Sequence, residues 1–276
     1  MVFLLYFLNT VCSSGQSAFG KGYAAKGGKA AVFNINKALS GMIVFLIFGI
    51  VTGVSLHIPS LFFGLLYGVF LCISMCAGFE ALKIGPMALT SIIASFSLVI
   101  PFAFGVIVLR ENLSVYGIVG IMLLSLSIII LIFKKESGLS IKWSFYAILT
   151  MIANGICSLI QKYHQIYFPG VYRNEFMISA LTSVLLILIV MHAIKPESKF
   201  KLSTGGFLAG AMNCASNYIL LYLAATENAS VLFPIVSVTN VIAVWFIGKI
   251  AFKETLRPLQ LLGLLFGITS IILLKI

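Results

Sequence analysis

The chain has 276 residues, of which 61% are hydrophobic and 9% are charged, whereas about a quarter of the residues of a soluble globular protein are charged. A chain with so few charged residues must be solvated mainly by lipid. The net charge of +11 comes from Lys and Arg between apolar runs, which set membrane topology and meet lipid headgroups, so we do not expect nucleic-acid binding.

The acidic residues number only seven, and none of them is Asp. General acid–base catalysis and oxygen-ligand metal sites usually draw on several carboxylates. All five cysteines fall within apolar runs, where Cys usually acts as a small hydrophobic residue. We therefore expect no enzyme activity, no catalytic residue, no metal site and no cofactor.

Ten apolar segments follow one another along the chain, each close to the length that spans a bilayer as a helix. They cover residues 2–19, 30–53, 60–82, 86–109, 114–133, 143–163, 172–194, 203–224, 228–250 and 258–275. The connections are too short to hold a separate soluble domain. The sequence therefore predicts an all-α membrane protein with ten transmembrane helices.

Two motifs occur once in each half of the chain. The pattern N-x-x-C-S-x-x-Q lies at residues 9–16 and again at 154–161, shifted by 145 residues (154 − 9). A basic residue followed by E-x-L lies at 110–113 and again at 253–256, shifted by 143 (253 − 110). These offsets indicate an internal duplication. Because five helices is an odd number, the second copy enters the membrane inverted, which predicts two inverted repeats, 1–135 and 136–276, around a central cavity.

Polar side chains recur on one face of several segments. Asn9, Ser13 and Gln16 are spaced by three or four residues and share one helix face. Carboxamides facing lipid would cost several kcal/mol each, so these groups face either a cavity or, as interhelical hydrogen-bonding groups, another helix. We predict that the polar faces line the central cavity and bind substrate. The candidates are Asn9, Ser13, Gln16, Lys37, Tyr67, Ser74, Ser95, Asn154, Ser158, Gln161, Asn213, Asn217 and Asn240.

Lys37 is the charged member of this set. An ionisable residue within a membrane span is a functional candidate, although a long Lys side chain also reaches lipid headgroups. Most Lys and Arg residues lie in or beside the connections that follow odd-numbered segments, which by the positive-inside rule places both termini outside the cytoplasm. The exceptions are Arg110, Lys162, Arg173 and Lys275.

Glycines and prolines add two local expectations. The Gly64–Gly68 and Gly206–Gly210 pairs have small-xxx-small spacing, which predicts close helix packing. Pro101 and Pro234 lie within the fourth and ninth segments and predict a kink or local unwinding there.

Together these features resemble the drug/metabolite transporter superfamily, specifically its ten-helix bacterial members with two EamA-type domains. The residues that carry the resemblance are the run 85–89 (GPMAL), Pro101, the 110–113 and 253–256 motifs, and Gly117, Gly120 and Gly263. The resemblance covers almost the whole chain and specifies a superfamily, not a substrate. It implies a basket of ten helices in the bacterial plasma membrane, with both termini in the cytoplasm. That orientation is opposite to the one that the charges predict.

The leading hypothesis is a transporter that moves small polar metabolites, such as amino acids or nucleobases, by alternating access. Its partners would be a small polar solute and membrane lipid, and the chain would act as a monomer or a weak homodimer. Asn, Gln, Ser and Tyr offer donors and acceptors without fixed charge, which suits a neutral or zwitterionic solute. The alternative is a flippase for a lipid-linked substrate with the same architecture, for which Lys37 and Arg173 are available basic residues.

Overall fold

A computed structural model of the chain describes residues 2–53, 55–100, 115–133, 140–194, 201–226, 229–254 and 258–273. Every regular element within these ranges is helical. The helices in chain order are α1 (Val2–Ala25), α2 (Ala30–Thr52), α3 (Ile58–Ile84), α4 (Met87–Ser95, followed by a 3-10 turn at Phe96–Leu98), α5 (Val115–Phe133), α6 (Ile141–Tyr167), α7 (Arg173–Ile194), α8 (Thr204–Thr226), α9 (Ala229–Ala251) and α10 (Pro258–Leu273).

The ends of the helices follow local chemistry that hydropathy alone does not reveal. The first helix extends to Ala25 rather than to residue 19, so Lys21 belongs to the helix and not to the connection. The turn after α1 contains Gly27 with φ +76°, a left-handed conformation that glycine adopts most readily. Before α6, the side chain of Ser140 accepts a hydrogen bond from the backbone N–H of Trp143 at 3.2 Å, a typical N-cap.

The most extensive helix packing joins different halves of the chain. α3 packs mainly against α6 and α7, and α8 packs mainly against α1 and α2. The contact of α4 with α6 corresponds in the same way to that of α9 with α1, while α2 also packs against α7, α4 against α9 and α5 against α10. If each helix is exchanged for the one five places away (α1 for α6, α2 for α7 and so on), every contact in this set becomes a contact of the same set.

The two glycine motifs lie at equivalent contacts in this packing. The Gly64–Gly68 motif of α3 faces α7, where a Cβ at its second glycine would collide with the backbone oxygen of Ala180. The Gly206–Gly210 motif of α8 faces α2, where a Cβ at its second glycine would collide with the backbone oxygen of Lys37. Close approach of the backbones is thus possible only because these residues lack side chains.

Four of the described helices are long and apolar enough to cross a membrane: Ala30–Val51 within α2, and α3, α6 and α7 over their full lengths. Large apolar side chains such as Phe3, Ile50, Phe62 and Phe145 are exposed on the molecule, and soluble proteins rarely expose large apolar patches. Length, composition and this apolar surface together indicate a helical membrane protein.

The two proline predictions have different outcomes. Pro101 lies outside the described residues, as does the 110–113 motif. α9 is helical from Ala229 to Ala251, so of the two outcomes predicted at Pro234 local unwinding does not occur, and the kink stays a prediction. A neighbouring irregularity that the sequence did not predict is the 3-10 turn Phe96–Leu98, which interrupts the fourth helix.

Candidate functional site

A central cavity of about 320 Å³ lies between α1, α2, α3, α4, α6, α8 and α9. Ligand pockets usually measure about 300–1,000 Å³, so this volume suits a small solute. No described residue of α5 or α10 lines it. All thirteen candidate residues lie on its wall: Asn9, Ser13, Gln16, Lys37, Tyr67, Ser74, Ser95, Asn154, Ser158, Gln161, Asn213, Asn217 and Asn240.

Hydrogen bonds between residues at equivalent positions of the two repeats connect the halves at the cavity, although the asparagine donates in one case and accepts in the other. Asn9 of α1 donates from Nδ2 to the backbone oxygen of Ser216 at 2.8 Å and lies 3.1 Å from its Oγ. Asn154, at the equivalent position of α6, accepts at Oδ1 from Ser74 Oγ at 2.6 Å. The two serines belong to the third helix of the opposite half in each case. The asparagines of the repeated motif therefore both cross-link the halves and line the cavity.

The two glutamines of the repeated motif differ in their surroundings. Gln161 donates from Nε2 to the hydroxyl of Tyr67 at 3.2 Å, which fixes its amide. Gln16 lines the same cavity, but no tyrosine is available at the equivalent place, because α8 carries Ala209 there in the repeat (67 + 142). The cavity wall is consequently not symmetric, although the helices that form it are equivalent.

The structure adds polar lining residues that the sequence did not single out. Thr90, Thr150 and Asn34 are among them, with Ser17 and Ser97. Thr150 lies one turn before Asn154 and Asn34 lies one turn before Lys37, so helical spacing from known candidates was the available indication. Each threonine hydroxyl also bonds to the carbonyl oxygen four residues earlier, Thr90 to Pro86 and Thr150 to Tyr146.

A carboxylate joins the halves where α3 ends and α4 begins. We call this region the basic end, because Lys21, Lys83 and Lys201 also lie there. Glu254, which follows α9, accepts the backbone N–H of Met87 at 2.8 and 2.9 Å through its two oxygens, and that of Ala88 at 3.3 Å. A negative charge at the N-terminus of a helix satisfies free N–H groups and interacts favourably with the helix dipole.

Lys21 completes the connection at the basic end. Its ammonium group lies 3.4 Å from Glu254 Oε1, with side-chain exposures of 17% and 13%. It also donates to the backbone oxygens of Leu82 at 2.9 Å and Gly85 at 2.5 Å, at the C-terminal end of α3. This role of Lys21 and Glu254 was not predicted, because their partners lie far away along the chain.

Polar contacts also join the halves at the opposite end, which we call the histidine end. Ser60 Oγ, at the start of α3, lies 2.9 Å from His57 Nδ1 and 2.9 Å from Nε2 of the fully buried His164 in α6. Glu175 of α7 accepts from both the backbone N–H of Ser55, at 2.8 Å, and its hydroxyl, at 3.1 Å. Each end of the cavity is therefore bounded by polar contacts between the two halves.

The sequence matches no protein-family model, and no curated protein is similar to it in sequence. Several chains of known structure are similar to this one, and for one of them, known from a crystal structure, the TM-score is 0.69. The alignment covers 99% of this chain and 95% of that chain at 12% sequence identity. At this identity the similarity concerns the fold alone. Among the described residues, no three His, Cys, Asp or Glu side chains are grouped so as to hold a metal ion.

Proposed function

We propose that this chain is a carrier that moves small polar metabolites across the bacterial plasma membrane by alternating access. The observation that carries the proposal is a polar cavity whose wall combines side chains from both halves of a helical membrane protein. Substrate sites of carriers built from inverted repeats lie at the interface between the repeats. The proposal agrees with the resemblance to ten-helix transporters with two EamA-type domains.

The proposed architecture consists of two inverted five-helix repeats, 1–135 and 136–276. Two features support it. The helix contacts exchange among themselves when each helix is replaced by the one five places away. The asparagines of the repeated motif, Asn9 and Asn154, bond to a serine on the third helix of the other half. A two-fold relation between the halves would produce both features.

The polar contacts at the two ends supply the parts that an alternating cycle requires. A carrier opens its cavity to one side at a time, so the halves must separate at one end while the other stays closed. Lys21 and Glu254 would close the basic end, and the Ser60–His164 and Ser55–Glu175 contacts would close the histidine end. Each set consists of a few hydrogen bonds whose loss solvent water can compensate on opening.

Transport by the purified chain tests the proposal. Protein reconstituted into liposomes is offered a pool of isotope-labelled amino acids, nucleobases and small amines, and uptake is measured by mass spectrometry with and without a pH gradient. Saturable uptake of one solute class is the expected result, and its response to the gradient reveals proton coupling. Absence of uptake by folded protein inserted in both orientations would refute the carrier and favour transport of a lipid-linked substrate.

Variants of the cavity wall test the site itself. Gln16→Ala, Asn154→Ala and Gln161→Ala each remove a carboxamide from the lining, and we expect each to reduce uptake of the identified solute. Thr269→Ala on α10 is the matched control, because Thr269 is exposed and lies outside the cavity. If all three cavity variants transport as well as the control, the proposed binding site is wrong.

A further inference from the structure

The charge of the cavity wall is concentrated on one side chain. Lys37 is the only charged residue among the described residues that line the cavity. The ion pairs formed within the described part of the chain are Lys21–Glu254 and Lys83–Glu80, and neither includes Lys37. The cavity thus contains a cation without a protein counter-charge in that part of the molecule.

The position of Lys37 is fixed by packing. Its backbone oxygen lies against Gly210 of α8, in the close contact between α2 and α8. Lys37 is two turns further into α2 than Lys29, the exposed residue that precedes the helix. An ammonium group in a poorly solvated site is destabilised unless an anion or several acceptors surround it. A bound anionic group would supply the missing charge.

The cavity wall also contains hydrogen-bond acceptors that have no donor among the described residues. The side-chain oxygens of Asn9 and Asn240 are buried and have no hydrogen-bond partner among the described residues. A buried acceptor without a donor is destabilising, and a solute with N–H groups would satisfy it. A cation at Lys37 together with unpaired amide oxygens is complementary to a solute that carries both an anionic group and hydrogen-bond donors.

We propose that Lys37 binds a single anionic group, such as a carboxylate, on the solute that occupies the cavity. The cavity would then select acids and zwitterions over amides, amines and nucleobases of similar size. This inference rests on the proposed function, since it names the class of solute for the same site. An anionic lipid headgroup presents the same chemistry, so the test must separate a free solute from a lipid.

Binding to the full-length chain in detergent is the first measurement. The ligands are amino acids and small monocarboxylic acids, each paired with its carboxamide, together with nucleobases. We expect at least one acid to bind about tenfold or more tightly than its carboxamide, because a charge-assisted hydrogen bond is lost in the amide. Equal binding of acid and carboxamide, or binding of nucleobases alone, would overturn the inference.

Substitutions at Lys37 assign the effect to this residue. Lys37→Met and Lys37→Gln should each remove the preference for the acid, whereas Lys37→Arg, which keeps the charge, should retain most of it. Lys26→Met is the matched control, because it removes an exposed lysine outside the cavity. The preference is a ratio measured within one variant, so partial loss of folded protein does not change it. A preference that persists in both neutral variants would overturn the inference.

Two further arms separate this inference from the proposed function. If no soluble acid binds but phosphatidylglycerol binds better than phosphatidylcholine, and Lys37→Met removes that difference, then Lys37 binds a lipid headgroup and the site for an anionic solute is refuted. If neither class binds, the anion site is wrong. Uptake into phosphatidylcholine vesicles is measured separately. If an acid binds but no solute is taken up, the carrier is refuted and the anion site is not. If solute is taken up but Lys37→Met binds the acid and its carboxamide with the same affinity ratio as the unmodified chain, the anion site is refuted and the carrier is not.

Discussion

Glu254→Ala removes the group that holds the basic end together. The carboxylate accepts the backbone N–H groups of Met87 and Ala88 at the start of α4, and it faces Lys21 at 3.4 Å. All of these partners belong to the first half of the chain, whereas Glu254 belongs to the second. The substitution therefore weakens a contact between the halves without altering the cavity wall.

The size of the effect follows from two losses. Removal of a side-chain cap from a helix N-terminus costs about 0.5–2 kcal/mol. Leaving the mostly buried Lys21 ammonium without its carboxylate costs about 1–3 kcal/mol more. We expect Glu254→Ala to lower the free energy of unfolding by about 3 kcal/mol. Glu254→Gln keeps one acceptor for the helix and should cost roughly half as much.

Unfolding of the purified protein in mixed micelles of increasing denaturing detergent measures this free energy. Trp143 is fully buried and lies against Gly85 at the basic end, so tryptophan fluorescence reports on this region. Glu80→Ala is the control, because the Glu80–Lys83 pair at 3.5 Å is more exposed and a pair of that kind contributes about 0–1 kcal/mol.

The test is the order of the three variants by their loss of free energy of unfolding. The reasoning predicts the largest loss for Glu254→Ala, a smaller one for Glu254→Gln and the smallest for Glu80→Ala. A change below about 0.5 kcal/mol for Glu254→Ala, the usual range of surface substitutions, would refute the proposed role of the carboxylate. An equal loss in the Ala and Gln variants would show that the charge matters and the helix cap does not.

Three further substitutions test the packing. Gly68→Val should lower the free energy of unfolding by about 1–3 kcal/mol, because its Cβ would collide with the backbone of Ala180; unchanged stability in the same detergent titration would contradict the close contact. Gly22→Ala should raise it by about 0.5–1 kcal/mol, since this helical glycine has no atom within 4 Å of an added Cβ. Trp143→Phe should lower it by about 1–3 kcal/mol, because Thr90 Oγ1 loses the indole N–H donor at 2.9 Å; a Thr90→Val background should abolish most of that loss.

The cavity wall was predictable because two constraints act together on each helix. Spacing by three or four residues identifies side chains on one face, as for Asn154, Ser158 and Gln161. Lipid excludes carboxamides from the outer surface, so that face must point inward. Thr90 and Thr150 were missed because a threonine hydroxyl can bond to a carbonyl oxygen of its own helix, so lipid does not force it inward as it forces a carboxamide.

The contacts at the two ends were not predictable from local patterns. Glu254 follows the apolar helix α9 with no local motif that indicates a partner, and the residue it contacts, Met87, is 167 residues away in sequence. His164 lies in the last turn of α6, a position typical of the membrane interface, yet it is fully buried. Packing of α3 and α7 over the end of α6 produces that burial, and hydropathy contains no information about which helix will cover another.

The exchange of partners between the halves also governs how the protein is made. α3 is complete once Ile84 has been synthesised, but its main partners, α6 and α7, are finished only at Tyr167 and Ile194. The delay is longer for α1, because its principal neighbour α8 ends only at Thr226. Until then the early helices lack their principal packing partners, and Asn9 and Ser74 lack the hydrogen-bond partners Ser216 and Asn154. The fold closes late, when the second half of the chain arrives and supplies both the walls and the connections at each end.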